Sequence, residues 1–174
     1  MKLTLTLNLP PVNERFTPHL PFTTGGCRVA SMNARITGLY LAPRRKEPRL
    51  PAPELHLRPE HGIEGDAYAG PGDRQVVFFE AAAREALEAA EQQGLCYARF
   101  HENVRIEGLE LGALAAGDRL KMGSAVVEIT SVSKRCYAEC SLPPGECHIR
   151  GRVAFGRVTR GGVVAVGDGV EPAV

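Results

Sequence analysis

Pairs of short strand-like segments dominate the carboxy-terminal half of the sequence, and they constrain the fold more than any other feature. Residues 118–122 and 125–132 are rich in apolar side chains and flank a Gly-Ser pair, which predicts a β-hairpin. Residues 152–159 and 163–166 flank an Arg-Gly-Gly turn and predict a second hairpin. Many short strands of this kind predict a mainly β (α+β) fold, a strand-rich barrel with a few decorating helices.

One segment has the composition of a helix. Residues 80–93 are rich in Ala, Glu and Leu, and Gly94 follows them as a stop signal. Residues 75–79, immediately before this segment, predict a buried strand, and residues 36–41 predict another. The Ala-rich face of the helix would allow it to pack closely on a sheet.

The amino-terminal part of the chain is irregular. Residues 1–27 contain four prolines and a Gly-Gly pair, which interrupt any long element, so we expect a loosely packed extension there. The barrel domain is expected over residues 28–174, beginning with a strand-like stretch at Arg28. Residues 43–59 carry five prolines and several charges, which indicates an exposed loop.

The charge and hydropathy of the chain exclude several classes of partner. The 174 residues carry a formal net charge of +1, which implies neither a nucleic-acid nor a membrane partner. No apolar run approaches the roughly 18 residues of a membrane span. Residues 1–9 alternate apolar and polar side chains, as a strand does and a signal peptide does not. We therefore expect a cytoplasmic protein.

The cysteines provide the clearest candidate chemistry. There are five of them, and the odd number without a secretion signal argues against a disulfide framework. Cys136, Cys140 and Cys147 fall close together, and Lys134 and Arg135 immediately precede the first of them. Nearby cations lower the pKa of a thiol and favour the reactive thiolate. This setting suits a nucleophilic, sulfur-carrying or metal-ligating cysteine.

A structural zinc site is an alternative use of the same residues. Cys136, Cys140, Cys147 and His148 have the spacing C-x3-C-x6-C-H, and zinc accepts both residue types. The spacing is not that of a standard zinc knuckle, and adjacent Cys147 and His148 would need awkward geometry to share one ion. A further alternative is that Cys140 and Cys147 are small buried side chains that fill space.

Two polar segments are candidates for a binding pocket. Arg74 stands at the mouth of the predicted strand 75–79, where a guanidinium can bind an oxyanion or a phosphate; the alternative is a surface ion pair with Asp73. Glu102 and Asn103 are adjacent, so on a strand they would point to opposite faces. The alternative for this pair is a solvated edge with a turn-forming Asn.

Taken in order, the motifs resemble a known family. The order is Gly62-Ile63-Glu64-Gly65-Asp66, then Arg74-Gln75-Val76, Phe100-His101-Glu102-Asn103-Val104, Gly108-Leu109-Glu110-Leu111 and the segment 114–130 ahead of the cysteines. Over about residues 28–170 this resembles the MOSC domain, named for the carboxy-terminal domain of molybdenum cofactor sulfurases, in its stand-alone bacterial form. The resemblance implies a barrel of the pyruvate-kinase type.

The resemblance also implies one reactive cysteine, which carries sulfur as a persulfide or ligates the molybdenum of a bound pterin cofactor. Cys136 matches that position, and Cys140 matches a cysteine found in a subset of stand-alone members, so the choice between them stays open. Arg135 stands where several members have proline. The resemblance thus makes Cys136 and Cys140 the candidate catalytic thiols and Cys136 the candidate metal ligand, with Lys134 and Arg135 as cationic neighbours.

The other motifs match the family's polar pocket. Arg74, Glu102 and Asn103 match its pocket positions, and Gly65 and Asp66 match its glycine-aspartate loop. Molybdopterin carries a phosphate, and Arg74 is the candidate to bind it. We thus expect the molybdenum cofactor as the bound group.

The resemblance extends to partners. No desulfurase domain with a lysine site for pyridoxal phosphate is recognisable, so this coenzyme is not expected, and a sulfur donor such as a cysteine desulfurase would be a separate protein. A molybdenum-dependent reductase of N-hydroxylated compounds is an alternative, and it would need an electron-donor partner. A non-enzymatic domain held together by zinc is the third possibility.

Overall fold

The structure is a computed structural model that describes residues 33–91 and 94–173. The predictions for residues 1–27 and for a strand-like stretch at Arg28 lie outside the described residues. The strands are β1 (Arg35–Leu41), β2 (Leu50–Ala52), β3 (Glu54–Arg58), β4 (Gly62–Ile63), β5 (Val76–Glu80), β6 (Val104–Glu107), β7 (Arg119–Met122), β8 (Ala125–Val132), β9 (Val153–Arg160), β10 (Gly162–Ala165) and β11 (Val170–Pro172). Helix α1 spans Ala81–Ala89, and single 3-10 turns occur at Tyr97–Arg99, Leu111–Ala113 and Pro144–Glu146.

Two sheets contain these strands. The larger has the order β11-β7-β8-β9-β5-β6-β1-β2, and the smaller has the order β10-β3-β4. All neighbours pair antiparallel except β5 and β6, which are parallel because α1 provides the crossover between them. Register shifts within β1 and β8 mark bulges that bend the large sheet, which curls into a half-barrel. The expected mainly β, barrel-like fold is confirmed.

The two predicted hairpins have different outcomes. β7 and β8 pair antiparallel around the Gly-Ser turn, as predicted. The second prediction is wrong, because β10 pairs with β3 instead of β9. Only Gly161 separates β9 from β10, and a tight hairpin needs about two turn residues. The chain therefore passes from one sheet to the other at this point.

The expected exposed loop over residues 43–59 also needs correction, because it contains β2 and β3. In β3 the buried Leu55 and Leu57 alternate with exposed polar residues, which is the pattern of a half-buried strand. β2 is an edge strand of the large sheet, so Pro51 is tolerated there without a backbone donor. The many prolines led to the prediction of a loop, although the apolar and polar residues of β3 alternate regularly.

The large sheet has an apolar cluster on each face. Along β5, Phe78 points into the main core between the sheets, whereas Phe79 belongs to a second cluster on the opposite face. Ala83 and Leu87 of α1 cover this second cluster. The helix ends at Ala89, short of the predicted residue 93, and no helix in the described ranges is long and apolar enough to cross a membrane.

Candidate functional site

The loop that carries Cys136 begins where β8 ends. Ser133 adopts a left-handed backbone conformation with φ 69°, and its N–H donates to the carbonyl of Val153 at 2.8 Å. This conformation turns the chain away from the sheet. Cys136 follows in the loop, where its side chain is exposed. The candidate thiol is thus accessible to another molecule.

Behind this loop, four cysteines line a small cavity of about 20 Å³: Cys96, Cys136, Cys140 and Cys147. The remaining lining is largely apolar and includes Leu87, Tyr137, Leu142, His148 and Ile149. A cavity needs about 10–15 Å³ to hold one water molecule, so this one has room for about one guest atom of that size. The fold thus places Cys136, Cys140 and Cys147 at one cavity and adds Cys96 from another segment.

Lys134 interacts with a different cysteine from the one expected. Its Nζ lies 2.9 Å from Sγ of Cys96 and 4.8 Å from the centre of the Tyr137 ring. Lys134 and Arg135 both lie in the loop after β8, which ends at Val132. The ammonium instead joins this loop to the segment around Cys96.

Cys96 was not among the predicted site residues. It lies 38 residues before Lys134 and has no motif of its own, so no spacing in the sequence marks it. Cys140 is the other thiol with a defined environment: hydrogen bonds from the backbone of Leu95 and Leu142 lower its pKa. The segment that contains Leu95 and Cys96 therefore contacts the cysteine loop at two points.

The geometry does not support the zinc alternative. In the described residues, no three Cys, His, Asp or Glu side chains are arranged around a common point that could hold a metal ion. Cys136, Cys140, Cys147 and His148 line one cavity but do not form a ligand shell there.

Asp66 and Asn103 form a second, separate cluster. The side-chain amide of Asn103 donates to the Asp66 carboxylate at 3.1 Å, and Arg49 contacts the same carboxylate at 2.7 Å. The backbone N–H groups of Ala42 and Tyr68 donate to Asp66 as well. Both predicted residues are buried, so they hold the glycine-aspartate loop against β1 and β6.

Glu102 has its own partners, separate from those of Asn103, and both residues precede β6 instead of lying on a strand as expected from the sequence. Its carboxylate accepts hydrogen bonds from Arg84 of α1 and from Arg105 of β6. Burial alone would raise the pKa of Glu102, but the hydrogen bonds from Arg84 and Arg105 outweigh it and hold the pKa below the ordinary value. Glu102 is thus an ionised anchor between the helix and the sheet.

Arg74 is exposed, and its guanidinium carbon lies 4.7 Å from the centre of the Phe155 ring. The alternative ion pair with Asp73 does not form, because Asp73 pairs with Arg157 at 3.7 Å. Cation–π stacking fixes the guanidinium plane while leaving its N–H donors accessible. Arg74 therefore remains available to bind an anion.

A second, wider cavity of about 620 Å³ has a basic lining. Lys46, Arg49 and Arg99 contribute the cationic groups, His101 also lines it, and Glu47 is the acidic residue. The pKa of His101 is lowered by partial burial and then by Arg49, so this side chain is neutral at neutral pH. Arg49 links the cavity to Asp66, but neither Cys136 nor Arg74 lines it. The predicted residues thus fall into four groups rather than one pocket: the cysteine loop, the Asp66–Asn103 cluster, Glu102 with its two arginines, and Arg74.

The MOSC domain family model matches residues 54–171 of the chain. No curated protein matches it. Among solved structures, the YuaD protein from Bacillus subtilis is similar at 20% sequence identity and a TM-score of 0.62, over 80% of this chain and 94% of that chain. YiiM from Geobacillus stearothermophilus is similar at 17% identity and a TM-score of 0.57, over 82% of this chain and 76% of that chain. These two similarities concern the fold.

Proposed function

Since the chain belongs to the MOSC domain family, whose members are generally associated with the molybdenum cofactor, we propose that it is a sulfur carrier in which Cys136 holds sulfur as a persulfide. The observation that carries the proposal is the exposure of Cys136 in the loop after β8, at a cavity lined by three other thiols. A donor protein must be able to reach the acceptor thiol, and the exposed side chain of Cys136 meets this requirement.

The chemistry needs no metal. The Cys136 thiolate attacks the terminal sulfur of a persulfide on the donor, forming a new S–S bond while the donor's own sulfur leaves as a thiolate. Arg135, an exposed cation, immediately precedes Cys136 in the loop. The donor is a separate persulfide-forming protein of the cysteine desulfurase class.

Binding of the molybdenum cofactor is the second candidate, and the basic cavity favours it. Groups of the kinds that such a cofactor needs are present in separate places: the exposed sulfur of Cys136 as a soft ligand, the exposed Arg74 beside Phe155, and Arg99 in the basic cavity as a cation for its phosphate. When bound, the cofactor would supply a redox-active metal. Asp66 and Asn103 would keep the surrounding loops in place, because their polar atoms are engaged in internal hydrogen bonds.

Analysis of a single protein preparation distinguishes the sulfur carrier from the cofactor-binding protein. Freshly purified protein is analysed for molybdenum, for pterin and for sulfur that cyanide releases as thiocyanate, alongside Cys136→Ser and, as the matched control, Cys147→Ser. Cyanide-labile sulfur that is lost only in Cys136→Ser supports the carrier, and molybdenum with pterin supports the cofactor. Reductase activity toward an N-hydroxylated compound with an artificial electron donor would favour the reductase alternative. Equal labile sulfur in Cys136→Ser and in the unaltered protein would refute the assignment to Cys136.

A further inference from the structure

Cys96 lines the same small cavity as the exposed Cys136, and it is the cysteine that Lys134 contacts. It follows α1 in the chain, whereas the other three thiols of the cavity follow β8. The fold therefore brings a thiol from a distant segment to the same small cavity. Cys96 is partly buried, packs against the second apolar cluster and is less accessible than Cys136.

Lys134 gives Cys96 the environment of a nucleophile. A distance of 2.9 Å between Nζ and Sγ is short enough for a charge-assisted hydrogen bond to a thiolate. Lys134 is itself partly buried and stacks on the Tyr137 ring, which limits its freedom to move away.

Sulfur transfer to Cys96 also needs space for the transferred sulfur atom, and the small cavity provides it. Its volume of about 20 Å³ and its largely apolar lining suit one sulfur atom, which is weakly hydrated, better than a charged substrate. Both Cys96 and Cys136 line this cavity, so one sulfur atom held in it would be within reach of both residues.

From these observations we propose that Cys96 is a second sulfur-accepting thiol, which takes the terminal sulfur from Cys136 and stores it away from solvent. In this step the Cys96 thiolate attacks the outer sulfur of the Cys136 persulfide. A new S–S bond forms at Cys96, the S–S bond at Cys136 breaks, and Cys136 leaves as a thiolate, so no oxidant is required. Lys134 is a positioning residue for this transfer. The inference rests on the proposed sulfur-carrier function.

A time course of sulfur loading tests the order of transfer. The protein is exposed to inorganic polysulfide, quenched with an alkylating agent at increasing times, and digested so that persulfide is assigned to each cysteine. We expect label first on Cys136 and later on Cys96. In Cys136→Ser, loading of Cys96 should slow by about tenfold, because direct attack must then reach a partly buried thiol. In Cys96→Ser, sulfur should remain on Cys136.

The outcomes distinguish the role of Cys96 from the sulfur-carrier function of Cys136. Persulfide that stays on Cys136 at all times in the unaltered protein overturns the role of Cys96 and leaves the carrier function intact. Loading of Cys96 at the same rate in Cys136→Ser also overturns the transfer. A protein in which Cys136 never acquires sulfur loses the carrier function itself, and the transfer fails with it.

A second measurement is independent of sulfur loading. The rate of Cys96 alkylation at neutral pH is compared in the unaltered protein, in Lys134→Met and in Lys134→Arg, with the exposed Lys121→Met as the control. Removing the ammonium that contacts Sγ should slow alkylation by about threefold, Lys134→Arg should restore the rate, and the control should not change it. An unchanged rate in Lys134→Met would show that Lys134 does not act on Cys96.

Discussion

The side-chain amide of Asn103 donates a hydrogen bond to the carboxylate of Asp66 at 3.1 Å, although 37 positions separate the two residues in the sequence. This contact joins the glycine-aspartate loop to the beginning of β6. Asn103 also donates to the carbonyl of Tyr40 and accepts from the N–H of Val77, so one amide connects three strands and a loop. The side-chain oxygen and nitrogen of Asn103 therefore both have hydrogen-bond partners.

Removing the Asp66 carboxylate should destabilise the protein strongly. Asp66→Ala leaves the largely buried guanidinium of Arg49 without its anion, and the loss of one partner from a buried ion pair costs about 3–5 kcal/mol. Urea unfolding measures the change. The matched control is Asp73→Ala, whose exposed ion pair with Arg157 should contribute less than about 1 kcal/mol. Similar losses in the two variants would contradict a structural role for Asp66.

Glu102 should make the stability of the protein depend on pH in the acidic range. Its pKa is lowered in the folded state, so the stabilisation is present above the unfolded-state pKa of about 4.3 and is lost as the pH falls through the folded-state pKa. We expect Glu102→Gln to be less stable near neutral pH and to lose less stability on acidification. Urea midpoints measured over this range check the sign; parallel curves for the two proteins would refute it.

Packing between β8 and β9 should not tolerate a side chain at Gly156. A Cβ atom there would lie 2.5 Å from Cγ1 of Val127 and 2.8 Å from the carbonyl oxygen of Glu128. Gly156→Ala should therefore lose about 1–3 kcal/mol of unfolding free energy. Gly70→Ala is the control, because nothing lies within 4 Å of its added Cβ. Equal thermal midpoints in the two variants would contradict this strand packing.

The basic cavity should bind an anion. At low ionic strength, phosphate should raise the thermal midpoint with increasing concentration, because a ligand that binds only the folded state stabilises it. Arg99→Gln removes one of the cavity's cations and should weaken the effect about threefold, a change typical of one exposed charge. Arg35→Gln, at an exposed ion pair with Glu107, is the control. Stabilisation that survives unchanged in Arg99→Gln would place the anion elsewhere.

Local pattern predicted much of the fold. The β7–β8 hairpin, the buried strand β5 and helix α1 follow from alternation and composition within one segment. The pairing of β10 with β3 could not be predicted in this way, because it depends on a change of sheet at Gly161. β3 was missed because prolines on either side outweighed the regular alternation of Leu55 and Leu57.

The candidate site was predictable where adjacent residues carry the chemistry. Cys136 and Cys140 lie in one loop, so their common cavity follows from sequence proximity. The contact between Lys134 and Cys96 could not be predicted in this way. Cys96 belongs to a separate segment after α1 and packs against the second apolar cluster. The partners of Asp66 likewise come from three distant segments. Long-range contacts of this kind leave no periodic signal in a single sequence.

The most direct test of the account measures sulfur on Cys136. The unaltered protein and Cys136→Ser are treated with a persulfide donor, freed of excess reagent and examined by intact mass before and after cyanide. We predict that the unaltered protein gains the mass of added sulfur and returns to its original mass on cyanide treatment, while Cys136→Ser shows a much smaller gain. Undiminished, cyanide-labile sulfur on Cys136→Ser would contradict the central claim.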